Sequence, residues 1–178
     1  MLDVYVEASE QYNEKTNEFI TVKPQILKLE HSLVSISKWE SKWHKPFLDS
    51  NDKTLEEVMD YVKCMTVNQV NPFIYDALTE QNFNEIQQYI NDPMTATTIK
   101  DIPGKRNNEI VTSELIYYWM VALQIPFECE KWHINRLLTL IKVCNIKNQP
   151  SKKMPRREIL NQNRILNQAR RSKYHTKG

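Results

Sequence analysis

The chain has 178 residues and a formal net charge of +2, and 40% of its residues are apolar while 26% are charged. This length accommodates one domain with an appendage, or at most two small units. The mean hydropathy is -0.61, and no apolar run approaches the roughly 20 residues that cross a bilayer. We therefore expect no membrane among its partners.

Glycine is scarce, because only Gly104 and Gly178 occur. Glycine-rich phosphate loops and GxSxG nucleophile elbows need glycine for tight turns, so both classes of enzyme are excluded. Since no other catalytic set stands out, the sequence predicts a protein that is not an enzyme and binds no cofactor.

Cysteine usage and the N-terminal sequence indicate where the protein works. The three cysteines Cys64, Cys129 and Cys144 stand at unrelated spacings, which indicates neither a disulfide framework nor a zinc ribbon. The start, MLDVYVEASEQ, has neither the basic residues nor the apolar core of a signal peptide. We expect a reducing cytoplasm.

Charge is distributed unevenly along the chain. Residues 151–178 contain nine Lys/Arg and one acid, giving +8, whereas residues 1–150 total -6. This basic arm can dock on an acidic protein (including a neighbouring copy), bind nucleic acid through its phosphates, or simply keep the chain soluble. Its candidate partner-binding residues are Lys152, Lys153, Arg156, Arg157, Arg164, Arg170, Arg171 and Lys173.

The first 30 residues alternate apolar and polar positions in three runs, residues 2–7, 19–22 and 26–30. Such alternation of Val, Ile, Tyr and Phe predicts half-buried strands. The polar residues 9–17 are then the hairpin connection, and Pro24 marks a turn or an edge. We expect a small antiparallel sheet of two or three strands.

Helical patterns follow. Ser32 is a plausible cap for a helix that Pro46 ends, while Thr54 and Glu57 form a capping box. The apolar stripe predicted behind that box is Leu55, Val58, Met59, Val62 and Met65. A third helical region covers 72–78 and 82–90, with an inward face of Phe83, Ile86 and Ile90.

Residues 91–110 read as a long connector with one short strand at 95–99, and residues 112–146 contain the densest apolar pattern. Pro126 divides this stretch into two helices, and we expect them to form the antiparallel hairpin on which other elements pack. Their predicted inward residues are Leu115, Ile116, Trp119, Ala122 and Leu123, then Trp132, Leu137, Leu138, Ile141 and Cys144.

A final helix is predicted from Arg156 to about residue 172, because Pro155 suits a first helical turn. The fold class is therefore α+β and mainly α. It consists of an N-terminal β-hairpin or sheet (1–30), a helical body (31–148) and the basic C-terminal arm (149–178).

Two residue sets could carry chemistry in the body. Cys129 and His133 stand four apart with Glu130 between them, a spacing that can place two metal ligands on one helix face. A zinc site needs about four ligands, so we favour a helix start with Cys129 buried and His133 half buried. The carboxylate pairs could act as acid and base, but we favour solvated faces; these pairs are Glu56–Glu57 and Glu128–Glu130.

Trp39 and Trp43, followed by His44, allow two interpretations. They could form an exposed aromatic binding surface. Tryptophans four apart more often attach a helix to a core, which we favour.

Four segments resemble a known group of proteins: EHSLVSISKWESKWHKPFL (30–48), INDPMTATTI (90–99), SELIYYWMVALQIPFECEKWHINRLLTLIKVCNIKNQP (113–150) and KKMPRREILNQNRILNQARR (152–171). The group comprises small proteins encoded among the structural and tail genes of tailed bacteriophages, often labelled tail assembly chaperones. The resemblance spans most of the chain.

The resemblance implies a non-enzymatic morphogenesis factor of the host cytoplasm. Such chaperones coat the tape measure protein and recruit tail tube subunits, and many are made in two forms by a frameshift. They tend to be helical, so the predicted N-terminal strands leave room for an alternative. That alternative is a structural virion protein of the head, neck or tail, with the arm contacting neighbouring subunits or DNA. Either protein could form homo-oligomers.

Overall fold

The computed structural model describes residues 1–13, 17–49, 52–99, 109–148 and 156–174. The strands are β1 (Leu2–Val6), β2 (Ser9–Asn13), β3 (Glu18–Val22) and β4 (Gln25–Leu29). The α-helices are α1 (Leu33–Trp43), α2 (Leu55–Met65), α3 (Glu80–Asn91), α4 (Ser113–Ala122), α5 (Ile134–Asn148) and α6 (Arg156–Tyr174). Two 3-10 helices, Pro72–Ala77 and Phe127–Lys131, precede α3 and α5. The fold is α+β and mainly α, as predicted.

The strands form one long antiparallel hairpin with an unbroken register. Leu2 lies opposite Leu29 where β1 pairs with β4, and Ser9 lies opposite Val22 where β2 pairs with β3. Two residues lie between β1 and β2, and two lie between β3 and β4. Because the two gaps have equal length, the hairpin needs no bulge to keep its register. Pro24 lies in the gap between β3 and β4, and its missing N–H explains the interruption.

The prediction that residues 9–17 form a connection is wrong, because Ser9–Asn13 is a strand paired with β3. Its polar composition hides the strand, since pairing with a complementary neighbour outweighs a weak local preference. The predicted strand at 95–99 is also wrong, because residues 92–99 contain no strand. That segment has few apolar residues to bury.

The outer edge of β4 is covered by the residues that follow α2. Glu30 donates its N–H to the carbonyl of Met65 at 2.9 Å, and Val67 donates to the carbonyl of Lys28 at 2.9 Å. The side chain of Asn68 adds two bonds to the same edge, one from the N–H of Lys28 and one to the carbonyl of Ile26. This protects the base of the hairpin from further pairing.

Helix α1 is the helix on which others pack. It begins at a capping box of Ser32 and Ser35 and ends at His44, which takes a left-handed backbone with φ 53°. Helices α2 and α4 both pack on α1, and α4 lies closer to α1 than to α5. The prediction that the α4–α5 pair organises the fold is therefore wrong. The buried residues of α1 are Leu33, Ser35, Ile36, Trp39 and Glu40.

Helix α2 has the predicted capping box of Thr54 and Glu57. Its predicted stripe is wrong in part, because the Leu55 side chain is 76% exposed. The buried face instead contains two carboxylates, and these are tolerated because groups on or just after α1 pair with them. That face consists of Glu57, Asp60, Tyr61, Val62 and Met65.

Helix α3 follows its predicted boundaries closely. Helix α3 buries Ile86 as predicted, together with Asn82 and Tyr89, while Phe83 and Ile90 pack at the edge of the core.

Pro126 separates α4 from the short 3-10 helix, as its missing N–H requires. Trp132 precedes α5 instead of lying on it. The predicted second helix therefore begins later than its apolar pattern indicates.

The chain divides into two compact units, Met1–Ile146 and Lys147–Gly178. The hairpin belongs to the first unit, because Val4, Val22 and Leu27 are buried in the same core cluster as α1. Among the described residues, no helix is both long enough and apolar enough to cross a membrane.

Candidate functional site

The predicted partner-binding residues of the arm lie on α6, apart from Lys152 and Lys153, which fall outside the described residues. Six are on the helix and every one is exposed: Arg156, Arg157, Arg164, Arg170, Arg171 and Lys173. No residue of α6 is buried.

Three of the arginines form a stripe. Arg157, Arg164 and Arg171 follow one another at seven-residue intervals, which is nearly two helical turns, so they share one face about 10 Å apart. The seven-residue spacing of this stripe is visible in the sequence. We call these three residues the arginine stripe.

Exposed apolar side chains also lie on α6. Ile159 and Leu166 are 45% and 54% exposed, and at about 100° per residue they lie across the helix from the arginine stripe, beside Arg170 and Lys173. Ile165 is 66% exposed and lies between these two residues and the stripe. Guanidinium groups bind carboxylates and phosphates with two parallel bonds, whereas an apolar face packs on another apolar surface. Helix α6 can therefore bind one partner through charge and burial together.

The body contains an open cavity of about 500 Å³. Its walls come from α2, α3 and the segment after α1, and they are mainly apolar. Five polar residues line it as well: His31, Lys53, Gln87, Asn91 and Asn135. A mainly apolar cavity with a few polar groups is typical of ligand sites.

His31 is buried between the strands and the helices and lines this cavity. Its Nδ1 lies 2.5 Å from the Tyr61 hydroxyl, which also lies 3.4 Å from the Ser35 hydroxyl. The Ser35 hydroxyl donates to the carbonyl of Ser32 at 2.8 Å. We assign the Tyr61 proton to its nearer acceptor, Nδ1 of His31, and this assignment places the proton of the imidazole on Nε2.

His133 packs edge-on against His31, with ring centroids 4.9 Å apart. Its Nε2 donates to the carbonyl of Tyr89 at 2.9 Å, and its Nδ1 accepts the N–H of Asn135 at 3.3 Å. Both ring nitrogens are thus occupied, which fixes the tautomer of this side chain.

Burial keeps both histidines uncharged. Burial, with a smaller contribution from the charge of His133, lowers the pKa of His31 to about 3. Burial also lowers the pKa of His133, although its bond to the Tyr89 carbonyl partly opposes this. Burial raises the pKa of Tyr61. At neutral pH this cluster is therefore a set of neutral hydrogen-bonding groups.

The Cys129–His133 pair offers a metal no free imidazole nitrogen, because both ring nitrogens of His133 have hydrogen-bond partners. Cys129 is buried and His133 half buried, as predicted, and burial raises the pKa of the Cys129 thiol, which disfavours the thiolate that a metal requires. Within the described ranges, no three His, Cys, Asp or Glu residues come together to hold a metal.

The tryptophans attach α1 to the core, as predicted. Trp39 is fully buried and donates its indole N–H to the carbonyl of Glu57 at 2.9 Å. Trp43 donates to a carboxylate oxygen of Asp60 at 2.9 Å. His44 is exposed.

The prediction of solvated carboxylates is wrong for Glu57, which is 1% exposed, and right for Glu56, which is exposed. Glu57 accepts a bond from the Lys45 ammonium at 2.5 Å and from the N–H of Thr54 at 2.8 Å. The bond from Lys45 lowers the pKa of Glu57 most. This carboxylate joins α2 to the residues after α1.

The second carboxylate pair is also divided. Glu128 is exposed, whereas Glu130 accepts a bond from the Tyr117 hydroxyl at 3.0 Å. Burial and this carboxylate raise the pKa of Tyr117 to about 12. Neither pair places two carboxylates in a shared pocket.

Sequence patterns miss the contacts of His31 with Tyr61 and His133, because these two residues are 30 and 102 residues away from it in the chain. The arm and the cavity are therefore the two candidate binding sites. No protein-family model, no curated protein and no solved structure matches this chain.

Proposed function

We propose that this protein is a non-enzymatic bacteriophage morphogenesis factor, a tail assembly chaperone that binds other proteins reversibly. The observation that carries the proposal is α6, a helix of 19 residues on which the arginine stripe and the apolar side chains of Ile159, Ile165 and Leu166 are all exposed. A segment of a tape measure or tail tube protein with acidic and apolar side chains would match both sets of residues. The sequence resemblance to phage tail-module proteins points the same way.

Physical chemistry favours reversible binding by α6. A polar helix of this length is marginal in water by itself, so a partner that covers it adds stability. Completing the burial of Ile159, Ile165 and Leu166 contributes on the order of a few kcal/mol, and the arginines add charge-assisted bonds. Such a total suits the release that a chaperone needs, and the protein would act in the host cytoplasm during assembly.

Mass spectrometry of purified phage particles tests the proposal. A chaperone leaves before the particle is complete, so the protein should be abundant in infected cells and absent from mature particles. A stoichiometric amount in mature particles contradicts the chaperone.

The arm's role is tested by co-purification with a phage tape measure protein. Deleting residues 151–178 should abolish binding, and reversing the arginine stripe to glutamate should do so in the full chain. The matched control reverses three exposed lysines of the body, Lys23, Lys38 and Lys142. Equal loss of binding in the control would show that total charge, and not the stripe, attracts the partner.

The second candidate is a structural virion protein, and the hairpin favours it. The hairpin exposes four large apolar or aromatic side chains in two cross-strand pairs, Tyr5 with Ile26 and Tyr12 with Phe19. Their exposed fractions run from 48% to 74%. Exposed aromatic pairs of this kind suit a permanent contact with a neighbouring subunit, and the same particle measurement separates the two candidates.

A further inference from the structure

We infer that the cavity beside His31 binds a phenol ring, which is an aromatic ring that carries one hydroxyl group. The inference is independent of the proposed function, because it rests on the cavity and its polar groups and not on α6. The ring would come either from a tyrosine side chain of a partner protein or from a free small phenol.

His31 supplies a hydrogen-bond donor to the cavity. The side chain is 3% exposed and lines the cavity. Its Nδ1 is occupied by the Tyr61 hydroxyl, and its Nε2, which holds the proton, has no hydrogen-bond partner among the residues that the structure describes. Because the cavity is open and this nitrogen has no acceptor among those residues, a ligand in the cavity can accept its proton.

Asn135 supplies the matching acceptor. Both hydrogens of its amide are used, because Nδ2 donates to the carbonyl of Ile90 at 3.1 Å and to that of Asp92 at 2.8 Å. Its Oδ1 has no partner within the described part of the chain, and Asn135 lines the same cavity. A hydroxyl is the group that accepts one hydrogen bond and donates another at one atom.

The walls select an aromatic body for that hydroxyl. Phe47, Tyr61, Phe83, Ile86 and Ile90 all line the cavity, so its surface is mainly apolar with aromatic edges. Its volume of about 500 Å³ lies within the range of small-ligand sites. The lowered pKa of His31 keeps the imidazole uncharged, so it can offer a hydroxyl a neutral hydrogen bond.

The test titrates the protein with p-cresol, the tyrosine side chain without its backbone, and follows the methyl NMR signals of Val62, Ile86 and Ile90. We expect saturable shifts with a Kd of about 1 mM, since the ligand is very small. Toluene, which lacks the hydroxyl, should bind about fivefold more weakly. Equal binding of the two ligands, or no saturable shifts, overturns the inference.

Blocking the cavity provides the second measurement. Val58 and Gln87 line it from accessible positions on α2 and α3, so Val58→Trp or Gln87→Trp should fill it and reduce p-cresol binding at least tenfold without loss of folding. The matched control is Leu55→Trp, at a more exposed position of α2 that does not line the cavity. Unchanged binding in both blocking variants overturns the inference.

The source of the ring is read from a third titration with N-acetyl-tyrosine amide. A Kd within about threefold of that for p-cresol supports a tyrosine side chain of a partner, because the mouth then admits the attached backbone. Binding of p-cresol with at least tenfold weaker binding of the capped tyrosine supports a free phenol.

Discussion

Helices α1 and α6 belong to the same chain and differ in what surrounds them. Helix α1 has 11 residues, five of them buried, and a capping box at its start. Helix α6 has 19 residues and buries none of them.

The comparison separates two uses of polar side chains. On α1 they are satisfied inside the protein, since Glu40 accepts the N–H groups of Phe47 and Ser113 at 2.8 and 2.7 Å. On α6 the arginines face solvent and are available to another molecule. Burial thus fixes the position of α1, and exposure leaves α6 free to bind.

The largest expected effect comes from removing the main buried side chain of α1. Trp39→Ala should lower the free energy of unfolding by about 4 kcal/mol, because it leaves a cavity and removes the bond to the Glu57 carbonyl. Urea unfolding followed by circular dichroism measures the change.

The matched control lies on the other helix. Leu160→Ala removes a large apolar side chain that is 59% exposed on α6, and it should leave the main unfolding transition within about 0.5 kcal/mol. Similar losses in the two variants would contradict the contrast between the helices.

The next effect comes from the buried carboxylate of α1. Glu40→Ala leaves two buried N–H groups, those of Phe47 and Ser113, without an acceptor, so we expect a loss of about 3 kcal/mol. Glu40→Gln keeps one acceptor oxygen and should lose about half as much. Equal losses in the two variants would show that packing matters here and hydrogen bonding does not.

Much of α1 and α2 was predictable because its signals are local. Ser32, Thr54 and Pro46 mark helix ends through the next few residues alone, and the structure confirms them. Glu57 was placed on a solvated face because its partner, Lys45, comes from elsewhere in the chain. Burial of a charge depends on its partner, which a local pattern does not contain.

The candidate sites differ in the same way. The basic arm is visible in the sequence as a charge imbalance, and its arginine stripe as a seven-residue spacing. The cavity depends on His31, Asn135 and α3 meeting in space, and no spacing along the chain indicates that meeting. Sequence alone therefore reveals the basic arm and hides the cavity beside His31.

A smaller expected effect is the pH dependence of stability that His31, at the cavity, should cause. The unfolded chain protonates the His31 imidazole near pH 6.5, whereas the folded protein does so only at about 3. Below pH 6.5 the unfolded state therefore binds a proton that the folded state does not. The free energy of unfolding then decreases as the pH is lowered. Between pH 7 and pH 5 the expected loss is about 2 kcal/mol.

Variants identify the residue responsible. His31→Gln should flatten the pH dependence of urea unfolding, although His133 leaves a remaining slope of the same sign because its pKa is also lowered. His44→Asn is the control, since His44 is exposed and asparagine tolerates its left-handed backbone. An unchanged slope in His31→Gln would exclude His31 as the source.

The smallest expected effect comes from removing α6 together with the rest of the basic arm. Deleting residues 151–178 should leave the free energy of unfolding of the body within about 0.5 kcal/mol, because α6 buries no side chain and removing exposed residues costs little. The helical signal in circular dichroism should fall only by the share that α6 contributes. If the truncated protein precipitates or unfolds at a lower temperature than the full chain, the apolar side chains of α6 pack on the body in solution. In that case the arginine stripe alone would remain available for a partner.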